Sequence, residues 1–311
     1  MKRRHKFLLQ GKQVFYVTNS STHTQEHLVK KLTAFGFPAQ KAEVLCTSQI
    51  AARYLHNAKF SDKVYLVGKE EAMGAELDKV GIEYTGTGPE LLIGETTADW
   101  KENINLDPKV KCVLVGFDPY FNYMKLMRAA CYLKNPSCLF LVTSEESTYP
   151  VRDRSFCLPV TGCISKSLSV ASGREPVVLG KPSPVMFEVL QTMFDLEPAR
   201  CLMVGDRLDT DIMFARRCGM QSLLVLSGIS TIDHIKQPSE KSGTENAQPD
   251  FYADNLASLT RIPVGCLGHF IAHRTDTNRG VEPVRKLIAA SRAKSPTSAP
   301  PTASDDREKA S

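Results

Sequence analysis

Short, continuously apolar runs alternate along this chain with segments whose apolar residues fall at helical spacing. That alternation limits the fold more than any other feature. The strand-like runs are Val14–Val17, Val64–Val67, Val110–Gly116, Cys138–Val142, Val177–Leu179, Cys201–Val204 and Ser222–Leu226. Helical spacing marks Glu26–Phe35, Ser48–Leu55, Glu70–Val80, Tyr123–Leu133, Cys163–Ala171, Pro184–Phe194 and Asp211–Cys218. A strand that is apolar throughout belongs in a parallel sheet covered by helices, because both its faces are then buried. The chain therefore predicts an α/β fold. Gly36, Gly81 and Gly219 each follow a helical pattern, where a left-handed C-cap is expected. Ser183-Pro184 reads as an N-cap followed by proline at the first helical position.

With 311 residues, 42% of them hydrophobic, the chain can bury a sizeable core. The length suggests about two domains. A net charge of +5 is too small for a dedicated nucleic-acid binder. Nine cysteines are scattered without a C-x-x-C pair, which reads as reduced thiols and no zinc site. The apolar stretch Phe7-Leu8-Leu9 is too short for a signal-peptide core, and no run approaches a membrane span. A soluble, cytoplasmic protein is expected, with no membrane partner. After Arg261 the alternation stops, and Lys294–Ser311 is rich in Ser, Pro, Ala and Thr, so residues 262–311 are expected to form a largely disordered tail.

Three motifs carry chemistry. In Phe15-Tyr16-Val17-Thr18-Asn19-Ser20-Ser21, hydroxyls and an amide follow an apolar strand, where parallel α/β sheets place ligands. Such groups suit phosphate oxygens, and they also suit an N-cap cluster before the helix at Glu26. In Val177–Pro184, Lys181 stands at a strand end before a helix start. An ammonium held there can neutralise a phosphate and a neighbouring carboxylate; a surface loop lysine is the plainer alternative. In Leu202–Asp211, a strand runs into Gly205-Asp206, with Asp209 and Asp211 close behind. Hard oxygens at a strand end suit Mg²⁺, and acids there can also complement the dipole of the next helix.

Together, in this order and each at a strand end, the motifs resemble the haloacid-dehalogenase-like (HAD) phosphatases. The branch they resemble contains phosphoglycolate phosphatase and pyridoxal phosphate phosphatase (chronophin). The resemblance runs from about Phe7 to Leu259 and includes Gly116–Leu126, Gly180–Phe187 and Met203–Ile212. It implies a Rossmann-like core, residues 1–84 and 175–261, with an inserted α/β cap over 85–174. It implies a Mg²⁺-dependent hydrolase that cleaves small phosphate monoesters of the phosphoglycolate, glycerol 3-phosphate or pyridoxal phosphate type through an aspartyl-phosphate. By position, Thr18, Asn19, Ser20 and Lys181 are the implied phosphate-binding residues. Lys181 also has the implied catalytic role of orienting the nucleophile. Asp206 is the implied Mg²⁺ ligand and Asp211 its support. A homodimer through the cap is implied as well. The cap loop that usually reads T-N-x-D is Thr143-Ser144-Glu145-Glu146 here, followed by Tyr149, a candidate specificity residue.

One motif of the family is missing. The resemblance calls for D-x-D upstream of Thr18, supplying the nucleophile and the general acid/base, yet the first carboxylate in the chain is Glu26. A strand parallel to Val14–Val17 needs a crossover of about a dozen residues, and Lys6–Gln10 reads as the end of that crossover helix. The central first strand of the core is therefore expected to be missing. Asp118 also follows an apolar strand, but Tyr120 stands where a second acid would be needed. The alternative function is a catalytically inactive fragment or pseudoenzyme that binds phosphate ligands or an active partner subunit.

Overall fold

A computed structural model describes residues 12–149, 155–236 and 247–261. The expected helix end at Lys6–Gln10 and the expected tail over 262–311 lie outside the described residues. Among the described residues, no helix is long and apolar enough to cross a membrane.

The largest sheet has five parallel strands: β3 (Lys63–Val67), β4 (Tyr84–Thr85), β5 (Val110–Val115), β6 (Leu139–Val142) and β9 (Val177–Val178), in spatial order β4-β3-β5-β6-β9. Its side chains alternate between faces with the two-residue period of a strand. Tyr65, Val67, Val113 and Val115 join one buried cluster with Ala129, Leu133, Ile164 and Leu168, which come from helices α5 (Tyr123–Leu133) and α6 (Thr161–Ser172). Val64, Leu66, Cys112 and Leu114 join a second cluster with Ile50, Ala51 and Leu55 of helix α2 (Thr47–Asn57) and with Phe187 and Leu190 of helix α7 (Val185–Met193). Leu66 and Leu114 are fully buried, and burial of one such side chain is worth about 1.5–3 kcal/mol.

Two smaller parallel sheets complete the α/β fold. One pairs β1 (Tyr16–Thr18) with β2 (Val44–Cys46). The other orders β10 (Leu202–Gly205), β11 (Gln221–Val225) and β12 (Phe251–Ala253). The hairpin of β7 (Thr148–Tyr149) and β8 (Leu158–Pro159) is antiparallel.

Helix ends follow their side chains. Helix α1 (Gln25–Ala34) is capped by Thr24, whose hydroxyl accepts from His27 N at 3.3 Å. Asn122 caps α5 by accepting from Lys125 N at 3.1 Å. Gly36, Gly81 and Gly219 have φ of 80°, 71° and 70°, the left-handed conformation expected at helix ends.

Several details depart from the sequence reading. The five-stranded sheet begins at Lys63 and ends at Val178, so it reaches past both limits of the 85–174 insert. The cause is pairing: β3 bonds to β5 on one edge and β4 on the other. Residues Glu70–Gly74 form a π-helical turn before helix α3 (Ala75–Asp78), not one continuous helix. Pro184, not Ser183, is the N-cap of α7, although Ser183 Oγ accepts from Val185 N at 3.4 Å. Strands β2, β4, β7, β8 and β12 are additional to those read from the sequence.

Candidate active site

Strands β1 and β10 belong to separate sheets, and residues of both, with those that follow them, line one cleft. Its volume is about 1210 Å³, and Thr18, Lys181, Asp206 and Asp211 are among its walls. Lys181 is nearly buried at 8% exposure. Its ammonium donates to Asp211 Oδ1 at 2.7 Å and to the Val17 carbonyl at 3.3 Å, so one side chain ties the end of β1 to the loop after β10.

Asn19 completes that tie. Its Nδ2 donates to the Lys181 carbonyl at 2.9 Å, and its Oδ1 accepts from Lys181 N at 2.8 Å. The Asn19 side chain therefore holds the lysine backbone, and its own carbonyl accepts from Thr47 Oγ1 at 2.9 Å. Thr18 Oγ1 accepts from Ser20 N at 3.2 Å, curling the chain at the strand end. Ser20 Oγ lies 3.2 Å from Thr22 Oγ1, which is 2.9 Å from His23 Nδ1. Ser21 Oγ accepts from Phe117 N at 3.2 Å, linking this loop to the end of β5.

Asp211 organises the acidic loop. Its Oδ2 accepts from the backbone N–H groups of Asp206 at 3.1 Å and Arg207 at 3.2 Å. Asp206 Oδ2 accepts from Ile229 N at 3.0 Å. A β-carbon at Gly205 would collide with Asp211, and one at Gly228 with the Asp206 carboxylate. Both acids thus sit where only glycine leaves room.

Sequence reasoning missed Arg207 and Glu146. The Arg207 guanidinium donates to Asp209 at 3.0 and 2.6 Å and to Glu146 Oε1 at 2.9 Å, which joins the loop after β10 to the loop after β6. The Asp209 hydrogen bonds, the largest cause, push the Arg207 pKa further up. The partner lies 61 residues away in sequence, so no local pattern announces it. Tyr149 is 60% exposed on β7 and is not a wall residue of the cleft.

Asp118, the other acid after an apolar strand, is committed elsewhere. It forms a fully buried ion pair with Lys125 at 2.5 Å and accepts from Tyr120 N at 2.8 Å.

The donor set fits a magnesium ion in part. At the ends of β1 and β10 one ammonium, Lys181, stands with two carboxylates, Asp206 and Asp211, among the walls of the cleft. A phosphate dianion would meet repulsion there unless a cation joined it. Mg²⁺ binds through one or two carboxylates and completes its shell with water and phosphate oxygens. Asp206 offers such a carboxylate. Among the described residues, no three His, Cys, Asp or Glu side chains are placed to hold a metal ion together.

His23, beside this loop, has its pKa lowered from 6.5, chiefly by burial and then by His27. A depressed histidine pKa means that the unfolded chain binds the proton more readily. Its contribution to stability is full above the unfolded value and is lost as pH falls through the lower folded value. An NMR titration is expected to place the His23 midpoint below 6.5; a midpoint above that value would contradict this environment.

Comparisons with known proteins agree with this architecture. A family model described as haloacid dehalogenase-like hydrolase matches residues 5–83, and a second HAD-hydrolase-like model matches residues 178–259. Glycerol-3-phosphate phosphatase of Gallus gallus is 40% identical over 253 residues, covering 80% of each chain. Human chronophin is 35% identical over 256 residues, covering 80% of this chain and 81% of its own. The solved p-nitrophenyl phosphatase of Archaeoglobus fulgidus superposes with a TM-score of 0.67 at 26% identity, covering 82% of this chain and 88% of its own. On this similarity, and on an α/β fold with strand-end residues gathered in one cleft, the chain belongs to the phosphatases of the haloacid-dehalogenase-like hydrolase family.

Proposed function

We propose that the cleft is the substrate-binding part of a phosphoric monoester hydrolase site for a small phosphorylated metabolite. The observation that carries this reading is the junction made by Lys181, which joins the end of β1 to Asp211 beneath the acidic loop. In this reading the Thr18 and Ser20 hydroxyls and the Lys181 ammonium bind the phosphoryl oxygens. Asn19 fixes the lysine backbone and Asp211 aims its side chain. Asp206 would hold Mg²⁺, which when bound supplies positive charge against the phosphoryl group. The strand β3–β9 unit serves as the cap, with Tyr149 a specificity residue on its hairpin. The name of the glycerol-3-phosphate phosphatase relative favours a glycerol phosphate type of substrate, and the resemblance adds the phosphoglycolate and pyridoxal phosphate types. A cytoplasmic homodimer formed through the cap completes the reading and rests on the resemblance.

Hydrolysis through an aspartyl-phosphate needs an attacking carboxylate, and the chain has no acid before Glu26. Loss of a nucleophile removes most of the acceleration of so slow a reaction. The second reading is a chain that binds phosphate ligands or an active subunit without turnover.

The test is isothermal titration of the 311-residue chain with inorganic phosphate, with Mg²⁺ and with EDTA, beside a p-nitrophenyl phosphate assay. Phosphate is expected to bind only with Mg²⁺, and Lys181→Met is expected to weaken it at least tenfold. Phosphate release is expected to match the buffer rate. Release that Asp206→Asn abolishes would show the chain to be a complete enzyme. No binding under either condition would remove the site.

A further inference from the structure

The five-stranded unit holds a second cavity, of about 400 Å³, which shares no wall residue with the cleft. Its polar walls come from β3 (Tyr65), the end of β4 (Thr85), the segment entering β5 (Asn105 and Asp107) and helix α5 (Arg128 and Tyr132). Positions i and i+4 of a helix are neighbours on one face, so α5 presents Arg128 and Tyr132 together. Small-molecule pockets have volumes of roughly 300–1,000 Å³.

The carboxylates around this cavity are already engaged. Asp107 Oδ2 accepts from Lys63 Nζ at 3.0 Å, and its Oδ1 accepts from Lys109 N at 2.9 Å. Glu90 Oε1 accepts from the Tyr65 hydroxyl at 3.0 Å, and its Oε2 faces Arg128 Nε at 3.4 Å. The donors lack such partners. Arg128 Nε is buried and makes no hydrogen bond. Among the described residues, the only ion-pair partner of the guanidinium is Glu90, and no acceptor meets its terminal nitrogens. The Tyr132 hydroxyl accepts from Asp107 N at 2.9 Å, and its own proton goes to no described residue. A ligand oxygen would give these donors the acceptor that the chain does not.

The cavity is shaped without a ligand. Tyr65 and Tyr132 are buried, with ring centroids 5.2 Å apart and planes tilted by 44°. A β-carbon at Gly86 would come within 2.6 Å of the Tyr65 ring, so the loop after β4 lies directly on it. Leu106 and Pro108 add apolar wall. The charges limit what can enter. Lys63 and Arg128 stand against Asp107, Glu90 and the largely exposed Glu83, so a ligand with several negative charges would be repelled. A single carboxylate can take both terminal nitrogens of one planar guanidinium.

We propose that this cavity is a second ligand site, which takes a small molecule with one carboxylate on a flat apolar body. The carboxylate accepts from Arg128 and from the Tyr132 hydroxyl, and the body lies against the tyrosine rings. The inference rests on the five-stranded unit and holds whether or not the cleft binds phosphate.

The probe is 4-fluorobenzoate, titrated into the full chain and followed by fluorine NMR, beside its neutral isostere 4-fluorobenzamide. The benzoate is expected to bind saturably, and the benzamide at least about tenfold more weakly, because it loses the charge-assisted bonds. Arg128→Lys keeps a charge beside Glu90 without the planar fork, and should weaken the benzoate at least about tenfold. Tyr132→Phe keeps the ring and removes the donor, and should weaken it about threefold or more. Saturating phosphate with Mg²⁺ should leave the affinity unchanged, since the two cavities share no wall. No saturable binding, equal affinity for the two probes, unchanged affinity in either variant that still melts cooperatively, or displacement by phosphate would each overturn the proposal. None of these readouts is catalytic, so this site and the phosphate reading can fail separately.

Discussion

Asp118→Ala is expected to destabilise the protein by about 3–5 kcal/mol, the usual cost of removing one partner from a buried ion pair. Lys125 is fully buried in the first turn of α5, with Asp118 as its salt-bridge partner at 2.5 Å. Alanine would strand a fully buried ammonium without its ion-pair partner. It would also leave the Tyr120 N–H without its 2.8 Å acceptor. In a chain of this size the melting temperature should fall on the order of 10 °C. The double variant Asp118→Ala, Lys125→Met should recover most of that loss, because it removes the charge together with its partner. Urea unfolding of the three proteins measures both numbers. A single variant within about 1 kcal/mol of the parent would show that the pair is not an anchor.

Asp211→Ala is the second large effect, expected at about 3–5 kcal/mol. It leaves three donors without their acceptor: the Lys181 ammonium and the backbone N–H groups of Asp206 and Arg207. Asp211→Asn keeps one acceptor oxygen but turns an N–H₂ toward one side, so about half the loss should return. Asp206 stands on the backbone that Asp211 holds. Both variants should therefore weaken Mg²⁺-dependent phosphate binding more than they shift the urea midpoint. Loss of stability with unchanged phosphate affinity would confine Asp211 to packing.

The legible parts of the fold are those in which one local pattern decides. Helix α5 runs from Tyr123 to Leu133 as its spacing indicates, and β5 and β11 lie within a residue of the apolar runs that announce them. Strand β2 escaped because three buried residues pass directly into α2 at Thr47, too few to show a period. Sheet membership was not legible either. Val64–Val67 reads as a strand, but only pairing decides that it joins β5 rather than β2.

The same divide runs through the site. Thr18, Lys181 and Asp206 stand out because polar residues at strand ends have few other reasons to be there. The Arg207–Glu146 bridge depends on two loops meeting, and neither contains a sign of the other. Asn19 reads from the sequence as a phosphate-side amide, and no local pattern shows that its side chain bonds to the Lys181 backbone.

That amide spans 162 positions of chain. Closing so long a loop yields nothing until both ends are in place, and contacts between distant residues slow folding. The intervening five-stranded unit closes its own shorter loops on the way. The two halves of the pocket thus meet only across a long closure, so the geometry of the site depends on the five-stranded unit between them as well as on its own residues.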